Sequence, residues 1–105
     1  MSDLFQGQVC DALQFACKAQ NCTSITKGRA TIIAMPRERL VLEIESLAAK
    51  SLDLNDEWEY RRLLELYELL DSNLLSRLVE QGSRSENEEV REAAADFRER
   101  IRNAN

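Results

Sequence analysis

Residues 53–70, "DLNDEWEYRRLLELYELL", decide the fold. "DLND" breaks whatever precedes it, and Asp53 or Asn55 can cap a helix whose first turn holds Asp56, Glu57 and Glu59. Acidic side chains there complement the positive end of the helix dipole. Tyr60, Leu63, Leu64, Tyr67 and Leu70 then recur at helical spacing, and Leu66 and Leu69 lie off that stripe. An apolar arc this wide marks a helix packed on more than one neighbour, and the rest of the chain is expected to assemble around it.

On its C-terminal side "DSN" (71–73) interrupts the pattern, which Leu74, Leu75, Leu78 and Val79 resume. The break suits either a kink or a new helix. Gly82 is expected to end this segment in the left-handed conformation that glycine tolerates. Residues 84–103, "RSENEEVREAAADFRERIRN", open on a capping box: Ser85 can accept from the Glu88 N–H while the Glu88 carboxylate reaches back to the Ser85 N–H. Val90, Ala93, Ala94, Phe97 and Ile101 share one side of the helix that follows. Loop 82–85 is short, so this helix should fold back antiparallel on 73–81 and reach the central helix. Loss of the Ser85 cap should cost about 1 kcal/mol.

On the N-terminal side Pro36 suits a first turn, and Leu40, Ile44, Leu47 and Ala48 stripe a helix over about 37–51. "RATIIAM" (29–35) is β-branched, yet no second strand-like run exists to pair with it. A short helix, an extended segment and an edge pairing with its own copy in a homodimer all remain open for it. "NCTSITKG" (21–28) reads as a loop. Residues 3–20 carry Phe5, Val9, Ala12, Leu13 and Ala16 at helical spacing, with Ser2 or Asp3 as cap. The fold expected is all-α: one domain over 1–105, a bundle of four or five helices.

Composition agrees. Three glycines and one proline are too few for the hairpins of an all-β chain of 105 residues. A net charge of −5 with no Lys/Arg block argues against nucleic acid and suits solubility, or a basic protein partner through electrostatic steering. The first residues show no basic segment followed by an apolar run, and nothing reaches the ~18 apolar residues of a membrane span, so a cytoplasmic location is expected.

The hairpin "LLSRLVEQGSRSENEEVREAAADF" (74–97) resembles a HEAT-type repeat, with Val90, Arg91, Ala94 and Ala95 at the matching positions. It departs from that pattern in lacking a turn proline and in placing Ser85 or Glu86 where the usual turn aspartate stands. The resemblance covers about a quarter of the chain. It implies a protein-binding surface and no catalytic residue, and HEAT-like or plain helical-hairpin packing would both accommodate it.

The chemistry available is narrow. With no histidine, Ser-His and Cys-His pairs cannot form and the commonest metal ligand is missing. Cys10, Cys17 and Cys22 match no zinc spacing and read as small buried hydrophobes in a reduced compartment. On one helix Cys10 and Cys17 would stand ~10 Å apart, too far to bridge. Asp53, Asn55 and Glu57 alternate like the start of a calcium loop, but Trp58 replaces the required glycine and Leu64 the bidentate glutamate. No glycine-rich phosphate loop occurs, and the carboxylates sit where capping and solubility explain them. Neither cofactor nor metal is expected. Tyr60 and Tyr67 should be core with hydroxyls reaching the surface, and Trp58 is a lid or a binding anchor.

The function expected is a non-enzymatic protein-protein interaction module: an adaptor, regulator or immunity-type inhibitor, with Trp58, Leu66 and Leu69 as contact residues. The rival from another class is an enzyme subunit, or a carboxylate-based enzyme whose site oligomerisation completes. An apolar concavity with converging acids would favour that rival, and an exposed patch with Trp58 would favour binding.

Overall fold

The structure, a computed structural model, describes residues 4–103. Among them there are six helices and no strand: α1 (Leu4–Cys17), α2 (Cys22–Ile33), α3 (Arg37–Ser51), α4 (Glu57–Leu70), α5 (Ser72–Gly82) and α6 (Glu88–Asn103). None is long and apolar enough to cross a membrane. The chain divides after Leu52 into two compact units of three helices each.

Two local features raise the helix count from the four or five expected to six. Of the segment 21–28, where a loop was expected, residues 22–28 are helical. Asn21 Oδ1 accepts from the Thr23 and Ser24 N–H groups at 2.7 and 3.4 Å, so the polar residue read as loop material is a helix cap. The helix then runs through Ile33 and absorbs most of "RATIIAM", leaving no strand there. Ile25, Gly28 and Ile32, at i, i+3 and i+7, are its buried residues. That one-sided burial outweighs the weak intrinsic helix preference of Thr and Ile. The second feature is Asp71, which makes 57–81 two helices rather than one kinked helix. Its extended backbone (φ −166°, ψ 128°) ends α4, and its carboxylate accepts from Leu74 N at 3.2 Å to start α5.

In the first unit α1 packs on both α2 and α3. At the α1–α2 contact a Cβ on Gly28 would lie 2.8 Å from the Ala12 carbonyl oxygen, so only glycine admits this approach. Between α1 and α3, Gln6 Nε2 donates to Glu43 at 2.7 Å and the Arg39 guanidinium stacks 4.2 Å from the Phe5 ring centre. Helix α3 has the expected bounds and buries Leu40, Ile44, Leu47 and Ala48, with Pro36 immediately before its first residue. The expected caps Ser2 and Asp3 lie outside the described residues.

In the second unit α4, α5 and α6 each pack on the other two. Arg61 pairs with Asp96 at 3.4 Å and Glu68 with Arg100 at 3.2 Å, so α4 and α6 run parallel, as two helices must when α5 returns between them. The core holds Tyr60, Leu63, Leu64, Tyr67, Leu74, Leu78, Val90, Ala93 and Phe97.

Three expected end signals are displaced. Asp56, not Asp53 or Asn55, caps α4, accepting from Glu59 N at 3.1 Å. Asp53 instead accepts from Asn55 N at 3.0 Å, an Asx turn, and its own N–H donates to Glu59 Oε1. At α6 the cap is Asn87, whose Oδ1 accepts from Glu89 N at 2.9 Å. Ser85 does not form the expected capping box, because its Oγ is taken by Asn87 N (3.1 Å) and its N–H by Gly82 O (3.1 Å). Gly82 is not left-handed: no described glycine has positive φ. It is the last residue of α5, and a Cβ there would fall inside the Tyr60 phenol.

Candidate interaction surface

Helix α4 places Trp58, Arg62, Glu65 and Leu69 at i, i+4, i+7 and i+11, within one narrow arc. Trp58 is 45% exposed and Leu69 56%. The Arg62 guanidinium stacks 4.2 Å from the Trp58 ring centre while its Nη1 donates to both Glu65 oxygens, at 2.8 and 3.2 Å. The carboxylate therefore fixes the guanidinium and the guanidinium covers the indole, so the ring is oriented before anything touches it. Leu66, expected to share this surface, is fully buried. It stands three residues from Leu63 and four from Leu70, both of them buried, and offers no surface to a partner.

Where the second unit's loops meet, a cleft of 540 Å³ is lined by Leu54, Asn55, Tyr60, Gly82, Ser85 and Asn87, among others. Its polar groups already serve the fold. Asn87 caps α6 and its Nδ2 donates to Asn55 O at 2.7 Å; Ser85 Oγ holds Asn87 N. The Tyr60 hydroxyl does not reach the surface as expected: the residue is fully buried and donates to Leu78 O at 2.7 Å. Burial pushes its pKa well above the usual tyrosine value, against the smaller opposing pull of Arg98 and of a hydrogen bond to the Gly82 backbone. At the parallel starts of α4 and α6, a hydrogen bond to Glu57 and its charge raise the pKa of the exposed Glu89 carboxyl, with Glu92 and Glu88 adding to the effect.

In the first unit a larger groove of 790 Å³ lies between α1 and α2. Asp11 is the one carboxylate lining it, and Glu86 the one lining the cleft of the second unit. Neither cleft is lined by two acids, the arrangement that glycoside hydrolysis uses. No group of residues suited to hold a metal ion occurs among the described residues. Cys17 is buried, Cys10 partly so and Cys22 exposed at the start of α2, so only one of the three is the fully buried hydrophobe expected of all. Cys10 and Cys17 do share one continuous helix.

The chain matches no family model, no curated protein and no solved structure. The hairpin that carries the HEAT resemblance is α5–α6, in which Val90 and Ala94 are buried, Ala95 is exposed and Arg91 Nη1 donates to Ser85 O at 2.7 Å to brace the turn. Of the three residues the sequence nominated, Trp58 and Leu69 are exposed and Leu66 is not; Arg62 was not among them, and its i+4 spacing from Trp58 was the available signal. Sequence reasoning also missed Leu4 and Phe15, 76% and 56% exposed on α1. Their signal was the scarcity of charge there: Asp11 is the one charged residue in the helix.

Proposed function

We propose that this chain is a non-enzymatic protein-interaction module, an adaptor, regulator or immunity-type inhibitor, that docks another protein on the outer strip of α4. The observation that carries the reading is the half-exposed Trp58 stacked by an Arg62 that Glu65 holds in place, with Leu69 in the same arc. Tryptophan and arginine dominate binding hot spots, and a side chain already held in place loses little rotamer entropy on docking. The net charge of −5 favours a basic partner, whose approach the field would accelerate. Among the described residues neither cleft is lined by two acids, and the hydrogen-bonded acid pair of Glu57 with the exposed Glu89 lines neither of them.

The test is affinity capture from the native host with the wild-type chain and with Trp58→Ala and Leu69→Ala, followed by calorimetry on the partner recovered. Each variant should keep the wild-type circular dichroism. Trp58→Ala should weaken the partner by about 2 kcal/mol or more, and binding should fall with added salt. Equal binding by both variants would remove this surface from the function, and turnover of a small molecule by the purified chain would overturn the non-enzymatic reading.

A further inference from the structure

Helix α1 is the least charged of the helices that face solvent. Val9, Ala12, Leu13, Ala16 and Cys17 bury one side of it. Leu4, Gln8, Asp11 and Phe15 recur at i, i+4, i+7 and i+11 on the other, and the two ends of that stripe are large exposed apolar side chains. The helix carries one charge in fourteen residues, so its outer side offers little charge to keep these two apolar side chains in water.

Beside the stripe runs the 790 Å³ groove. Ala12 and Gly28, small residues where the two backbones close up, line it together with the bulkier Phe15 and Met35. Its lining includes one anion on α1, Asp11, and one cation on α2, Lys27. Among the described residues neither makes an ion pair within the chain. Phe15 also borders a second, smaller hollow on its far side with Gln14 and Lys18, so the ring stands as a ridge between two depressions.

A projecting ring beside a groove, and an anion on one helix across from a cation on the next, together make a self-complementary patch. That is the requirement for a two-fold interface, in which residue i meets residue j and j meets i. We infer that two copies of this chain pair through this face: the Phe15 ring of each enters the α1–α2 groove of the other, and Asp11 of each faces Lys27 of its twin. Because this patch supplies both charge signs and both the ridge and the groove, a second copy satisfies it without any further partner. The surface belongs to the first unit and shares no residue with the α4 strip, so either reading can fail without the other.

Light scattering and sedimentation on the full chain over a wide concentration range test the inference. The wild type should dimerise, and Phe15→Glu should be monomeric with unchanged circular dichroism, since the side chain is exposed. Asp11→Lys and Lys27→Asp each place like charges opposite one another twice per dimer and should each weaken pairing on the order of a hundredfold. The decisive sample is an equimolar mixture of those two variants, in which both contacts again join opposite charges and a heterodimer should form. A wild type that stays monomeric up to near-millimolar concentration overturns the inference. So does a dimer indifferent to Phe15→Glu, or a mixture of the charge variants that does not pair.

Discussion

Gly82→Ala separates what the tertiary structure does from what helix preference alone would do. In an isolated helix the change gains about 0.5–1 kcal/mol, because alanine restricts the unfolded backbone. In this chain the new Cβ would occupy the place of the Tyr60 phenol, whose hydroxyl donates to Leu78 O at 2.7 Å in the core of α4–α6. Moving that ring adds the overpacking of a filled core, about 1–3 kcal/mol. It also leaves a buried hydroxyl and a carbonyl unpaired, about 1–3 kcal/mol more. The expected net effect is a loss of about 3 kcal/mol, read as a lower urea midpoint by far-UV circular dichroism. Two further variants identify the cause. If the glycine were needed for a left-handed backbone, Gly82→Asn would be milder than Gly82→Ala, whereas against a ring it is worse. In a Tyr60→Leu background Gly82→Ala should cost little, giving a coupling energy of about 2 kcal/mol between the two sites. A Gly82→Ala chain as stable as the wild type, or a loss unchanged by Tyr60→Leu, would refute the packing argument.

The caps of α6 rank in the order the structure sets, not the order the capping box suggests. Asn87→Ala should lower stability by about 1 kcal/mol in urea denaturation, and Ser85→Ala, which loses only a turn contact, by roughly half of that or less. Alkaline pH should unfold the chain through Tyr60. Its folded pKa lies above the unfolded one, so both states keep the proton below about pH 10, and above it the unfolded state alone ionises and stability falls as pH rises. Stability measured against pH should show that decline, and Tyr60→Phe should remove Tyr60's share of it while lowering stability at neutral pH.

The all-helical class, the bounds of α3 and the buried stripe of α4 were legible in the sequence because each rests on periodicity along one helix. Tyr60, Leu63, Leu64, Tyr67 and Leu70 repeat with the helix whatever they pack against, and all are buried. The return of α6 onto α5 was legible too, since so short a turn leaves few directions. Leu69 was legible as an off-stripe apolar residue and is exposed. Leu66 carried the same signal and is buried, because sequence spacing gives the angle around a helix but not how wide an arc its neighbours cover.

What tertiary structure alone decided sits where two segments compete for the same group. Ser85 has the spacing of a capping box, but Asn87, whose side-chain amide donates to Asn55 O of the loop before α4 at 2.7 Å, takes the cap, and Ser85 is left to brace the turn. Residues 21–33 have the composition of a loop followed by a strand, and become one helix because Asn21 caps it and α1 offers Gly28 a close, small-residue contact. Gly82 looks like a helix stop and is instead the space into which Tyr60 fits. Local preferences of this kind differ by about 1 kcal/mol or less, and burying an apolar side chain or satisfying a buried hydroxyl is worth more than that. Periodicity therefore determined which residues form faces, and packing determined where those faces begin, end and meet.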